Sequence, residues 1–166
     1  MKVAGYDPFL TKEQIEGMGY EYYANYEDLL KDCDVISIHV PLTKETENMV
    51  SAKQLKEMKN TAIIINCSRG GIINEADLIE ALDSGEIAGA GLDVFVGEEI
   101  HPGNPLLDAK NLIFSPHSAA QTREAVINMA TMCVEGCKAV CQGKKWKLVA
   151  NPKVYEHEKW KNADWA

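Results

Sequence analysis

The sequence predicts an α/β protein built on a doubly wound parallel sheet, and two observations carry that prediction. Short apolar runs recur along the chain, separated by segments of about ten residues with helix start and stop signals, the alternation of parallel strands with crossover helices. The run Ala62–Ile65 shows almost no polar alternation before it stops at Asn66-Cys67-Ser68, followed by Arg69, Gly70 and Gly71. Such a run suits a strand buried on both faces. The polar residues behind it then lie at the strand's C-terminal end, where open α/β sheets bind ligands.

Each element follows in order. Lys2 to Tyr6 reads as a short strand, and Pro8 ends it, leaving Asp7 near a strand end. Thr11 opens a helix: Gln14 completes a capping box, Leu10 and Ile15 form a hydrophobic staple, and Gly17 and Gly19 close it. Glu21 to Tyr23 is a short edge strand. Asn25 starts a helix through Leu29, Leu30 and Cys33, and Val35 to Val40 is an apolar strand stopped by Pro41. Ser51 and Gln54 form a second capping box, stapled by Val50 and Leu55, for a helix reaching about Met58. Asn74 caps the next helix, with Ile73 and Leu78 as its staple and Gly85 at its end.

Ile87 to Val94 is a strand with small residues at Ala88, Gly89, Ala90 and Gly91, a sign that something approaches its backbone closely. Pro102 to Pro105 is a loop, Leu112 to Phe114 a short strand, and Thr122 to Gln142 a long amphipathic helix. From Gly143 the pattern dissolves. The tail carries Trp160 and Trp165 with no evident partner, so it either covers another domain or is disordered.

Composition bounds the function. The 166 residues are enough for one domain with a real core, and 46% hydrophobic with 25% charged residues is ordinary for a soluble globular protein. A formal net charge of -8 argues against nucleic acid or an anionic membrane surface as a partner. No stretch approaches the length of a membrane-spanning helix, and the first residues lack the basic and apolar regions of a signal peptide, so a cytoplasmic protein is expected. Five cysteines fit reduced thiols better than a disulfide framework. Cys133, Cys137 and Cys141 fall on one helical face, but their spacing matches no common zinc or cluster pattern, and no metal is expected. Val126, Met129, Ala130, Val134 and Val140 widen the same stripe, which predicts small buried residues.

Chemistry gathers at the strand ends. Arg69 follows the central strand, Asp93 closes the glycine-rich strand with Glu98 in the loop behind it, and His117 follows Ser115-Pro116 after the last strand. Arg69, Glu98 and His117 therefore leave three parallel strands at one edge of the sheet. Singly, each is more often a surface or locally paired side chain, and His39, His101 and His157 are left in that class. Together they form an inventory for reducing a carbonyl beside a carboxylate. A planar guanidinium grips the carboxylate, an imidazole gives or takes the hydroxyl proton, and a carboxylate orients the imidazole. The hydride must come from a cofactor.

The stretches IINCSRGGIINEADLIEAL, GAGLDVF with Glu98, and NLIFSPHSAAQT resemble the NAD-dependent D-2-hydroxyacid dehydrogenases, which include D-3-phosphoglycerate, glycerate and D-lactate dehydrogenases. The similarity runs from Val3 to about Pro152. The resemblance implies a Rossmann-like domain, NAD as cofactor and a small 2-keto or 2-hydroxy acid as substrate. It implies that Arg69 binds the substrate carboxylate, that His117 is the acid/base and that Glu98 is its partner. Asp7 in YDP would bind the adenosine ribose and favour NAD over NADP, in agreement with the acidic-residue rule for the 2′-hydroxyl. Val40, Pro41, Thr43, Cys67, Ser68, Asp93 and Ala119 match positions lining the cofactor or its nicotinamide.

The chain departs from that pattern twice. Glu98-Glu99 stands where the family commonly has Glu-Pro, which leaves the choice between the two glutamates open. A glycine fingerprint should precede Asp7 by about twenty residues, yet only six residues stand there. The expectation is a truncated dinucleotide-binding domain over residues 1–150, lacking its first βα unit, and a tail over 151–166 returning toward a missing substrate domain. In the strand order 3-2-1-4-5-6 the first strand is central, so its loss leaves Lys2–Tyr6 and Val35–Val40 facing an empty slot with open edges. The pyrophosphate would lose its glycine turn and helix N-terminus. Such a chain binds NAD poorly and turns over nothing alone, and it works as a homo-oligomer or with a complementing N-terminal half. A non-catalytic NAD-sensing module of corepressor type, or a non-functional gene fragment, are the competing readings.

Overall fold

The predicted strands pair side by side in parallel, but in two separate sheets. In the computed structural model, which describes residues 1–97 and 100–166, β1 (Ala4–Gly5) pairs with β2 (Glu21–Tyr22). A second sheet has the order β3 (Val35–Ile38), β4 (Ile63–Asn66), β5 (Gly89–Leu92) and β6 (Leu112–Phe114), all parallel. Ile64 of β4 lies opposite Ile36 on one side and Ala90 on the other. Because the four strands run the same way, their C-terminal ends share one rim.

The connecting helices start where their caps dictate. They are α1 (Lys12–Gly17), α2 (Tyr26–Asp32), α3 (Ala52–Glu57) and α4 (Glu75–Ser84). The Gln14 side chain accepts from the Thr11 N–H at 2.8 Å, completing the first capping box. Asn25 and Asn74 accept from the N–H groups of Asp28 and Asp77 at 2.8 and 3.1 Å. Gly85 ends α4 at φ 75°, a left-handed conformation that favours glycine.

The core lies on one face of the larger sheet. Ile36, Ile38, Ala62, Ile64, Ala90 and Leu92 are buried in one cluster with Leu30 of α2, Leu55 of α3, and Leu78 and Leu82 of α4. The alternate residues face the other way: Val35 is 53% exposed, Ile63 42% and Ile113 78%. The expected burial of the central strand on both faces is therefore corrected. Period-two alternation put half of an apolar run on a face that these helices do not cover.

The strands are also shorter than the apolar runs that encode them. Lys2–Tyr6 narrows to Ala4–Gly5, Val35–Val40 to Val35–Ile38, and Ile87–Val94 to Gly89–Leu92. β1 and β3 each pair on one side only, and among the described residues no backbone hydrogen bond joins them. A cavity of about 840 Å³ is lined by both strands and by Tyr26, Leu29 and Leu30 of α2. This is the slot expected where a first strand would sit.

The unit Met1–Ala119 is followed by a second, Ala120–Ala166, so the first compact unit ends before residue 150. The second unit holds α5 (Arg123–Cys141), capped by the Thr122 hydroxyl on the Ala125 N–H. Cys133, Cys137 and Cys141 are exposed thiols rather than buried residues, and Val126, Met129, Val134 and Val140 are 45–67% exposed. An amphipathic stripe shows that a face suits cover; it does not supply the cover. The tail is ordered by its own aromatics. The Tyr155 ring packs edge-on to Trp160 at 5.7 Å and near Trp165 at 5.4 Å, and its hydroxyl donates to the Trp146 carbonyl at 2.7 Å. Trp160 is buried, which answers the question of its partner.

One-sided burial sets the cost of substitution. Ile64→Ala is expected to destabilise the protein by about 2–5 kcal/mol, and Ile63→Ala by less than half as much, in urea unfolding of both variants. Equal losses would contradict the one-faced core.

Candidate functional site

Among the described residues two polar side chains are buried, Asn66 and Asp93, each 2% exposed. Each stands at a strand end, Asn66 organising the turn behind β4 and Asp93 the loop after β6. Buried polar groups are stable only when hydrogen-bonded, and none among the described side chains is left unsatisfied.

Asn66 ends β4. Its Oδ1 accepts from the Ser68 N–H at 3.0 Å and the Ser68 hydroxyl at 2.8 Å, and its Nδ2 donates to the Arg69 carbonyl at 2.9 Å. This clasp forms the turn that presents Arg69, whose side chain is exposed. Arg69 Nη1 donates to the Ser68 carbonyl at 2.6 Å, which uses one of the guanidinium's donors and leaves its charge at the rim. Gly70 then passes close to the chain leaving β5. A Cβ at this position would lie 2.0 Å from the Phe95 carbonyl oxygen, so only glycine fits. The Val96 N–H is fixed in turn by Glu75 Oε1 at 2.7 Å, at the first position of α4.

Asp93 follows β5. Its carboxylate accepts from the Ser115 hydroxyl and from the N–H groups of Ser118 and Ala119 at 2.8 Å each. These bonds gather the loop after β6 around His117, which is exposed and sits at φ 51°. Left-handed backbone is uncommon for a residue with a Cβ, and here the flanking bonds to Asp93 impose it. Burial pushes the Asp93 carboxyl up, but the Ser115 hydroxyl, the Ala119 and Ser118 N–H groups and the charge of His117 together hold it below the usual range.

The structure sorts the predicted residues into groups. Val40, Pro41, Cys67, Ser68 and Arg69 surround one cleft of about 310 Å³, together with His39. His39, set aside in the sequence, is thus the residue this cleft adds, and its ring nitrogen bonds the Ser37 hydroxyl at 2.8 Å. Its position at the end of an apolar strand was the signal. Asp93, His117 and Ala119 form the second group, at the ends of β5 and β6. Asp7 and Val40 line the larger cavity between β1 and β3. Asp7 is half-buried, and its Oδ1 accepts from the Phe9 N–H at 2.8 Å. Thr43 lines neither cavity. Its hydroxyl accepts from the Glu45 N–H at 3.2 Å, and its own N–H donates to Thr46, so it shapes the loop after β3. Glu98, with Glu99, lies outside the described residues. Asn66 escaped the sequence reading as an organiser, although an asparagine directly behind a buried strand is a turn signal.

The sequence profile of the D-isomer specific 2-hydroxyacid dehydrogenase NAD binding domain matches residues 1–119. The chain belongs to this family. NAD is the cofactor named for its domain. The chain is 43% identical over 159 residues to D-3-phosphoglycerate dehydrogenase of Methanocaldococcus jannaschii, covering 96% of this chain and 30% of the relative. It is 44% identical over 143 residues to glyoxylate reductase of Aeropyrum pernix, covering 86% of this chain and 43% of the relative. The crystal structure of D-lactate dehydrogenase with NAD+ from Lactobacillus jensenii superimposes with a TM-score of 0.80 at 38% identity, covering 90% of this chain and 48% of that one. The chain therefore spans less than half the length of each of these relatives.

In this member of the family, the carboxylate behind β5 makes a testable contribution to stability. Asp93→Asn places an amide against N–H donors that need an acceptor, and is expected to cost about 1–3 kcal/mol. Because the native carboxyl is held low, its contribution is complete above the unfolded value of about 3.9 and is lost as pH falls through the lower native value. Unfolding measured from neutral pH downward should show this acid limb in the native chain and a shallower one in Asp93→Asn. The same slope in both would refute the assignment.

Proposed function

We propose that this chain is the cofactor-domain part of a cytoplasmic D-2-hydroxyacid dehydrogenase, acting in hydride transfer between NAD(H) and a small 2-hydroxy or 2-keto acid. The observation that carries the proposal is the shared rim. Arg69 and His117 leave β4 and β6 of one parallel sheet, each on a turn held by a buried polar side chain. Five free cysteines, with no disulfide among the described residues, suit a reducing compartment.

The residues fit NAD in part. Asp7 is a half-buried carboxylate two residues beyond β1, suited to a ribose hydroxyl, and the cleft at Val40, Pro41, Cys67 and Ser68 suits the nicotinamide end. No glycine fingerprint stands among the six residues before Asp7, so the pyrophosphate has no cradle in this stretch. When bound, NAD supplies or takes up the hydride. The protein's part is to hold and to move a proton. Arg69 holds the substrate carboxylate through its planar fork, which fixes the neighbouring carbonyl. His117 gives a proton to the carbonyl oxygen in reduction and takes it from the hydroxyl in oxidation. By the family resemblance Glu98, or Glu99 beside it, is the carboxylate partner of the imidazole, and Asp93 holds the loop that carries His117.

Alone, the chain binds NAD weakly and is inactive; its working form is a homo-oligomer or a complex with a complementing half. Calorimetry with NAD should give no tight stoichiometric binding, and NADH absorbance should stay constant with glyoxylate, pyruvate and hydroxypyruvate. Tight binding without turnover would instead favour an NAD-sensing module.

The catalytic roles are tested by joining the chain behind the N-terminal portion of the Aeropyrum pernix relative. In that fusion His117→Asn should lower kcat by roughly 10²–10⁴-fold. Arg69→Lys should raise KM for the keto acid, because an ammonium lacks the bidentate fork. An active fusion indifferent to both substitutions would remove these assignments.

A further inference from the structure

Helix α5 carries sulfur at every fourth position along one stretch: Met129, Cys133, Cys137 and Cys141. At 3.6 residues per turn these side chains succeed one another along one side of the helix, while Glu124 and Glu135 fall on other sides. The three thiols are free and exposed, and Met129 is 48% exposed. The run lies beyond residues 1–119, the part matched by the family profile, and none of it lines the cleft at Arg69.

Spacing limits what such a run can hold. Side chains four residues apart on a helix have Cβ atoms about 5–6 Å apart. A disulfide needs roughly 3.5–4.5 Å, so neighbouring thiols of α5 cannot pair with each other. Cys133 and Cys141 stand about 12 Å apart along the axis, too far to share one ion. Among the described residues no three histidine, cysteine, aspartate or glutamate side chains gather as a metal site. A zinc ion held by four ligands of this run is therefore excluded. Two thiols one turn apart remain. Two metal–sulfur bonds of about 2.3 Å, the zinc–thiolate length, bridge such a pair once its sulfurs lean together.

We propose that α5 carries a two-thiolate site for a soft monovalent cation of the copper(I) class, with Cys137 as the fixed member and Cys133 or Cys141 as the other. Copper(I) is satisfied by two soft donors, and thiolate and thioether sulfur select it. The Met129 thioether, one turn before Cys133, extends the soft run. On binding, two S–H bonds break, two S–Cu bonds form and two protons pass to solvent, while copper keeps its oxidation state. The pair and its ion carry a net negative charge, next to Lys138 in the last turn of the helix. This site stands apart from the dehydrogenase reading and does not depend on it.

The test uses the whole reduced chain in the absence of oxygen, with copper(I) offered as its coloured bicinchoninate complex. The native chain should withdraw about one copper from the chelator, read as loss of colour. Cys137→Ser breaks both pairs and should weaken binding roughly 10²–10⁴-fold, the advantage of two linked donors over one. Cys133→Ser and Cys141→Ser each leave one pair and should change affinity little. The double variant Cys133→Ser, Cys141→Ser should match Cys137→Ser. All are exposed helix positions, so circular dichroism should read native helix content in each. The variant Cys33→Ser, Cys67→Ser, which leaves α5 intact, should bind as the native chain does. Copper left wholly with the chelator overturns the proposal. So does native affinity in Cys137→Ser, or an equal loss in Cys33→Ser, Cys67→Ser, which marks adventitious binding to thiols at large.

Discussion

Two buried polar side chains, Asn66 and Asp93, make the rim of the larger sheet into a shaped surface. In a core of isoleucine and leucine, each would be costly unless its buried polar atoms were hydrogen-bonded. Each meets that demand from a loop at the rim: Asn66 bonds Ser68 and Arg69 in the turn behind β4, and Asp93 bonds Ser115, Ser118 and Ala119 in the loop after β6. The need for satisfaction at the core boundary thus fixes where the exposed chemistry stands. Arg69 and His117 are free to face solvent because their backbones are held from beneath. The approach of Gly70 to Phe95 locks the two turns into one framework, since that contact leaves no room for a side chain.

The other half of the unit lacks this closure. β1 and β3 each pair on one side, and both fall short of the apolar runs that encode them. A strand gains hydrogen bonds from each neighbour, so an end residue with one neighbour lies close to the limit of being held extended. The same portion of the chain carries Asp7, so the ribose end of the proposed cofactor site and the open edge belong to one surface. Exposed parallel edges are aggregation hazards that folded proteins normally cover.

Helix α5 illustrates a separate constraint. Its stripe of valine, methionine and cysteine has the periodicity of a core helix, yet these side chains are exposed. Ala139, by contrast, is buried, and Gly136 allows Trp146 to approach within 3.0 Å of where a Cβ would stand. Small residues let the tail's aromatics seat, while the large apolar residues of the stripe stay exposed. The same holds for Val35, Ile63 and Ile113 on the outer face of the sheet.

What the sequence determined was local or periodic. Capping pairs such as Thr11 with Gln14 set helix starts, the alternation of runs and helices set a parallel α/β sheet, and three blocks of residues set the family. Tertiary structure decided the rest. That one face of Ala62–Ile65 is buried, that Cys133 and its neighbours are exposed, and that Asp93 serves the His117 loop depend on which surfaces meet. Hydrophobic periodicity records which side of an element suits cover, while the cover itself comes from residues far away in the chain. A hydrogen bond across more than twenty residues, such as Asp93 to Ala119, has no signature in the spacing of either partner.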